Sequence, residues 1–235
     1  MKVHETIQEL AEAIYAIRAG ERQPFDPVYA IGQVAAHGMR LGADCLTIQA
    51  SRHDPSMRAW AHDTRLDRLC NHRLSESEST RLTRALAKAT RAHAPFTDLL
   101  ALTSVVLEER RGTSLPNYFL STQERLKTIE LTVGYHAATK NTPPHIGFSD
   151  NRAGSIALAA MAALHRDADR LSRTKLSLVL GCSDEHALRV TAMQVLLAVT
   201  HFPHYVGFVE VALVPHRRFN LVFAVGRNYP LQKAA

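Results

Sequence analysis

The chain has 235 residues, 46% hydrophobic and 21% charged, with a formal net charge of +6. That is enough apolar material for one sizeable core, and it suits an ordinary globular chain. Three cysteines, Cys45, Cys70 and Cys182, lie far apart without a C-x-x-C. The count therefore excludes a disulfide framework and points to a reducing, cytoplasmic setting, with export lacking a cleavable signal left open.

The N-terminus, "MKVHETIQELAEAIYAIRAGE", carries acidic residues through its apolar positions and has no signal-peptide core. Ile7, Leu10, Ala11, Ile14 and Ile17 recur at helical spacing up to Gly20. Asp26-Pro27 opens a second helix, since Asp caps and Pro is tolerated in the first turn. It continues through "VYAIGQVAAHGMRL" and ends near Gly42. A further segment begins at Asp44 and is interrupted by Pro55. "SMRAWAHDTRLDRLCNHRL" and "SESESTRLTRALAKATRAHA" read as polar helices, with several N-cap choices between Ser75 and Ser79. "FTDLLALTSVVLEERR" is another helix, closed by Gly112.

The pattern then changes. "TIELTVGYHA" (128–137) alternates like a strand, and "KNTPPHIGFSDNRAG" reads as a turn-rich loop. "SIALAAMAALHRDADRL" is a helix and "KLSLVLG" a strand. "SDEHALRVTAMQVLLAVTHF" is an apolar helix capped by Ser183, and a hairpin spans His204 to Asn228. The most apolar window, 195–214, is broken by two His, a Pro and a Glu, so no membrane span is expected. The sum is one α+β domain over 1–235. Residues 1–112 are helical, and 128–228 run β-α-β-α-β-β and end in the hairpin.

Chemistry is sought first at Cys45 in "GADC". In the first turn of a helix capped by Asp44, its thiolate would be favoured by free N–H groups and the helix dipole. A thiolate nucleophile needs a base and a group to orient that base. His204 opens "HYVGFVEV", 159 positions after Cys45, and Asn220 and Asn228 lie on or after the partner strand, which ends in "FAVGRN". This order resembles the papain-like and NlpC/CHAP cysteine hydrolases, including some bacterial effector proteases. The resemblance covers roughly forty residues, and Leu46 stands where those enzymes carry an aromatic residue. It implies a Cys45 nucleophile, a His204 base, and Asn228 or Asn220 as orienter. The substrate would be a peptide or protein, cleaved or transferred at an amide bond without a cofactor.

A second cysteine, Cys182 in "VLGCSDEHALR", sits where phosphatase thiolates sit. Arg189, however, follows with six intervening residues instead of five. Among the 13 histidines, His53-Asp54 and His62-Asp63 with Asp67 and the upstream His37 superficially match a helical metal phosphohydrolase. The apolar lead-in is missing, and Cys70 with His72 fits no zinc spacing, so no metal is expected. Walker, G-x-G-x-x-G and G-x-S-x-G signatures are absent. The alternative to an enzyme is a basic helical binding protein. Arg81, Arg84, Lys88 and Arg91 fall on one helical stripe that could meet an acidic protein or nucleic-acid phosphates.

Overall fold

The computed structural model describes residues 3–20, 23–53, 69–138, 145–165, 176–201, 206–214 and 220–224. The fold is α+β. Helices α1 (Val3–Tyr15), α2 (Pro27–His53), α3 (Glu76–Ala92), α4 (Leu99–Arg111) and α5 (Thr122–Ala138) precede the sheet. Strand β1 (His145–Ser149), helix α6 (Ala153–His165), strand β2 (Leu176–Cys182) and helix α7 (Glu185–His201) follow, then strands β3 (Val206–Leu213) and β4 (Asn220–Ala224). Among the described residues, the first 112 contain no strand, and no helix is long and apolar enough to cross a membrane.

Local chemistry sets most of the helix ends. Asp26 Oδ1 accepts from the Val28 and Tyr29 N–H groups and starts α2. Ser75 and Glu78 form a reciprocal capping box on α3. Asp98 caps α4 by accepting from the Ala101 N–H, and Gly112, with φ +61°, closes it. At α7 the cap is Asp184, which accepts from the Ala187 N–H. Ser183, expected in that role, instead bonds through its N–H and hydroxyl to Asn151 Oδ1.

Two expectations about elements are corrected. Residues 128–137 belong to α5 and not to a strand. Ser121 and Glu124 make a second capping box ahead of them. The Thr128 and Thr132 hydroxyls then donate to the carbonyls of Glu124 and Thr128, which satisfies these β-branched residues within a helix. Their alternating apolar neighbours are scattered around the helix, so Leu131 stays 66% exposed and Tyr135 55%. The first strand lies instead in the segment read as a loop, at His145–Ser149. The second correction concerns Gly42, which does not end a helix: α2 runs unbroken to His53.

The sheet order is β1-β2-β3-β4, with β1, β2 and β3 parallel and β4 antiparallel to β3. Parallel neighbours need crossovers, which α6 and α7 supply. Leu176, Leu178 and Leu180 of β2, with Val209 and Val211 of β3, are buried toward these helices. The intervening Ser177, Val179 and Glu210 are only half-buried. The helical half is joined to this layer mainly through α2, which lies along α7. Glycines make that approach close. A Cβ on Gly42 would stand 3.0 Å from Leu196 Cβ, and one on Gly38 would stand 2.5 Å from Met193 Sδ.

Candidate functional site

Cys45 is not at a helix start. It lies well inside α2, on an exposed stretch, where its own N–H is already part of the helix. Asp44 pairs with Arg40 at 3.5 Å instead of capping. Although the thiol is exposed, desolvation by its surroundings and then the Asp44 carboxylate push its pKa up. That is the opposite of what the helix-start reading required. His204 and Asn228 lie outside the described residues. Asn220 is described through its backbone, where it pairs with Ala212. Cys182 ends β2 buried, with its Sγ–H toward Thr191 Oγ1 at 3.5 Å and its pKa pushed up to about 11, chiefly by burial. It is an inert core thiol at neutral pH.

The stripe on α3 is real but compensated. Lys88 Nζ stands 2.7 Å from Glu9 of α1. The groove between the two helices is lined by Glu5, Glu9, Glu12 and Glu76 as well as Arg81, Arg84, Lys88 and Arg110. Four carboxylates against four bases balance the formal charge of that groove. Arg81, Arg84 and Arg91 are exposed, without an ion pair among the described residues. Replacing all four stripe residues with Gln is therefore expected to cost about 1 kcal/mol or less, almost all of it from the Lys88–Glu9 pair. Nucleic-acid retention at low salt should be the same for both proteins. Chemical denaturation and a filter-binding titration check this, and a flattened salt slope in the variant would restore the phosphate reading.

The metal reading gains no support. His62, Asp54, Asp63 and Asp67 lie outside the described residues. Among those described, no three His, Cys, Asp or Glu side chains gather as metal ligands. His37 and His72 do meet: His37 Nδ1 lies 3.2 Å from His72 Nε2, and its Nε2 lies 2.8 Å from Thr83 Oγ1. His37 is buried. Desolvation and then the neighbouring His72 push its pKa down to about 4, so it is a neutral core group.

The most site-like feature is a partly enclosed cavity of about 140 Å³. It lies where the end of α3 and the loop into α4 meet α6 and α7. Leu86, Leu100, Leu158, Met193 and Leu197 give it apolar walls, and Thr90, His93, Asp98 and Gln194 add polar groups. Phe96, on its rim, holds φ at +60°, an uncommon conformation for an aromatic residue. The Arg125 guanidinium bonds the Phe96 carbonyl at 3.0 Å and braces that loop.

Asp98 is the unusual member. Its side chain is 1% exposed, and Oδ1 accepts from the Ala101 N–H at 3.1 Å and the Gln194 amide at 3.0 Å. Oδ2 has no partner in bonding geometry among the described residues. Burial pushes the carboxyl's pKa up, and the Ser155 hydroxyl, the Ala101 N–H, Gln194 and Arg125 oppose the shift. A buried, perturbed carboxyl beside an apolar cavity is the kind of group that marks functional sites. Sequence reading passed over it. The available signals were a lone Gln194 inside "TAMQVLLAVT" and a capping Asp directly before an apolar helix. Comparison of the chain with family models, curated proteins and solved structures finds no match.

Proposed function

We propose that this is a non-enzymatic binding protein that holds a small, largely apolar molecule between α3, α4, α6 and α7. The observation that carries this reading is the 140 Å³ cavity with predominantly aliphatic walls and a few polar groups at one side. A cavity of about 150 Å³ lined by apolar side chains stays dry and accepts a molecule of benzene size. Hydrolysis at Cys45 is the weaker reading: that thiol lies inside a helix with its pKa raised, and its expected partners His204 and Asn228 lie outside the described residues. Contact with an acidic partner through Arg81, Arg84 and Arg91 is compatible with the cavity and independent of it.

Toluene tests the reading. A ligand that binds only the folded state raises the melting temperature in step with its concentration. Saturable stabilisation by toluene is expected, with shifts in the methyl resonances of Leu158 and Leu197. Leu197→Phe, which extends a side chain into the space, should remove both effects. Absence of stabilisation in the parent protein, or its survival in Leu197→Phe, would sink the reading.

A further inference from the structure

We propose that the free edge of β1, roofed by α5, takes a strand from another polypeptide: an extended segment parallel to β1, apolar at alternate positions and acidic at its C-terminal end. This goes beyond the small-molecule reading and does not depend on the cavity.

The helix layer extends one helix beyond the sheet. Helix α6 packs on β1 and β2, α7 on β2 and β3, and α5 against α6. In a parallel sheet each crossover helix covers the strands it joins. By that progression α5, the helix before β1 in the chain, stands where a crossover from a strand outside β1 would stand. Residues 113–121, which precede α5, contain no strand, and among the described residues nothing pairs with the outer side of β1. An open groove of about 580 Å³ lies there, between α5 and β1.

Both walls of the groove suit a strand. The Asp150 N–H donates to the Gly181 carbonyl of β2 at 3.0 Å. Backbone direction alternates along a strand, so the N–H and C=O groups of His145, Gly147 and Ser149 point away from β2, to the free edge. All three residues are exposed. Packing within this chain does not require glycine at position 147, since a Cβ there would meet nothing nearer than the Val179 carbonyl at 3.9 Å. A glycine inside a strand weakens it and is found where another backbone comes close. On the opposite wall, Leu131 and Tyr135 of α5 line the groove and are exposed, and no described side chain of α5 is fully buried.

Charge fixes which end of the incoming strand is acidic. Arg152, just beyond the C-terminal end of β1, pairs with Glu124 in the first turn of α5 at 2.6 Å. The start of α5 therefore lies beside the end of β1. Lys127, three residues on, lines the same groove and has no ion pair among the described residues. Glu124 and Arg152 neutralise each other, which leaves Lys127 to answer a partner's charge. A carboxylate near the C-terminal end of a parallel strand meets it.

The acetylated, amidated hexapeptide Thr-Val-Thr-Val-Thr-Glu is the probe. Its valines and glutamate share one face, in the order of Tyr135, Leu131 and Lys127 along the groove. Titrated to millimolar concentration against the full chain, it should shift the amide resonances of Gly147 and Ser149 saturably. A peptide ending in Lys, or carrying its Glu at the first position, should bind at least about threefold more weakly. Lys127→Glu, a change at an exposed site, should reverse the preference between the Glu and Lys peptides. Gly147→Pro removes an N–H that faces away from β2, so circular dichroism should show the fold retained while peptide binding is lost. No saturable shift at β1 in the parent protein, or a Glu preference unchanged in Lys127→Glu, would overturn the inference. Concentration-dependent self-association that Gly147→Pro abolishes would assign the edge to a second copy and overturn it as well.

Discussion

Gly154→Ala is expected to destabilise the fold by about 3 kcal/mol or more, although alanine is the better helix former. Gly154 lies in the first turn of α6, and its N–H donates to the Thr191 hydroxyl at 3.2 Å. A Cβ there would sit 2.8 Å from Thr191 Cα, a backbone atom, and closer still to Gln194 Oε1. Neither a rotamer change nor a small shift of a flexible side chain relieves a contact with backbone, so α6 and α7 must move apart. Moving Gln194 also breaks its bond to Asp98 and strips a buried carboxyl of a donor, which costs a further ~1–3 kcal/mol. Gly134 of α5 is the control. It has nothing within 4 Å of its Cβ position, so Gly134→Ala should stabilise by about 0.5–1 kcal/mol. Urea unfolding of both variants checks the contrast. Destabilisation of equal size at the two sites would mean that the close approach of α6 and α7 does not govern Gly154.

The legible parts of the fold were those fixed by short-range chemistry. Asp26-Pro27 and Gly112 each supply or remove particular backbone partners within a few residues and stand where the sequence put them, and of the caps left open between Ser75 and Ser79 the structure uses Ser75, with Glu78 closing the box. The misread parts were decided over longer range. At Gly42 the local cost of glycine inside a helix argues for an end, but the residue serves the approach of α7, more than a hundred positions away in sequence. In 128–137 the alternation of Ile129, Leu131, Val133 and Tyr135 imitates a strand. The Ser121–Glu124 box starts a helix upstream, and its propagation carries Leu131, Val133 and Tyr135 out to solvent.

The site was less legible than the fold, for a related reason. Cys45 drew attention through its neighbours Gly42 and Asp44, and the argument depended on a helix starting between them. With α2 continuous, the positive end of the helix dipole that would favour a thiolate lies at the Pro27 end, not at Cys45. The Asp98 cavity draws on residues from 86 to 198, which no local pattern joins. His37 and His72 likewise meet only because α2 and the segment before α3 are folded together.

The histidine pair sets the second large expectation: stability should fall as the solution is acidified below about pH 6.5. His37 has an ordinary value of 6.5 in the unfolded chain and about 4 in the fold. Between those values the unfolded state binds the extra proton, so stability is complete above pH 6.5 and declines until about pH 4. At ~1.4 kcal/mol per pKa unit the loss reaches about 3 kcal/mol. The physical cause is first the burial of the imidazole and second the neighbouring His72, while its hydrogen bonding to the Ser79 backbone opposes both. His72 is itself held low by desolvation and by Arg40, so it adds in the same direction. Asp98 works the other way. Its carboxyl is raised above the ordinary 3.8, so it favours the fold at low pH and loses that contribution as pH rises through 3.8 toward its folded value. A single acid titration therefore sums opposing terms, and a variant is needed to isolate one. His37→Gln keeps groups able to bond Thr83 and His72 but cannot take up a proton. It should be less stable than the parent at pH 7, and the difference should shrink by about 3 kcal/mol on moving to pH 4. Equilibrium urea unfolding of both proteins across that range provides the measurement. Parallel curves for parent and variant would show that His37 is not the group whose protonation loosens the packing of α2 against α3.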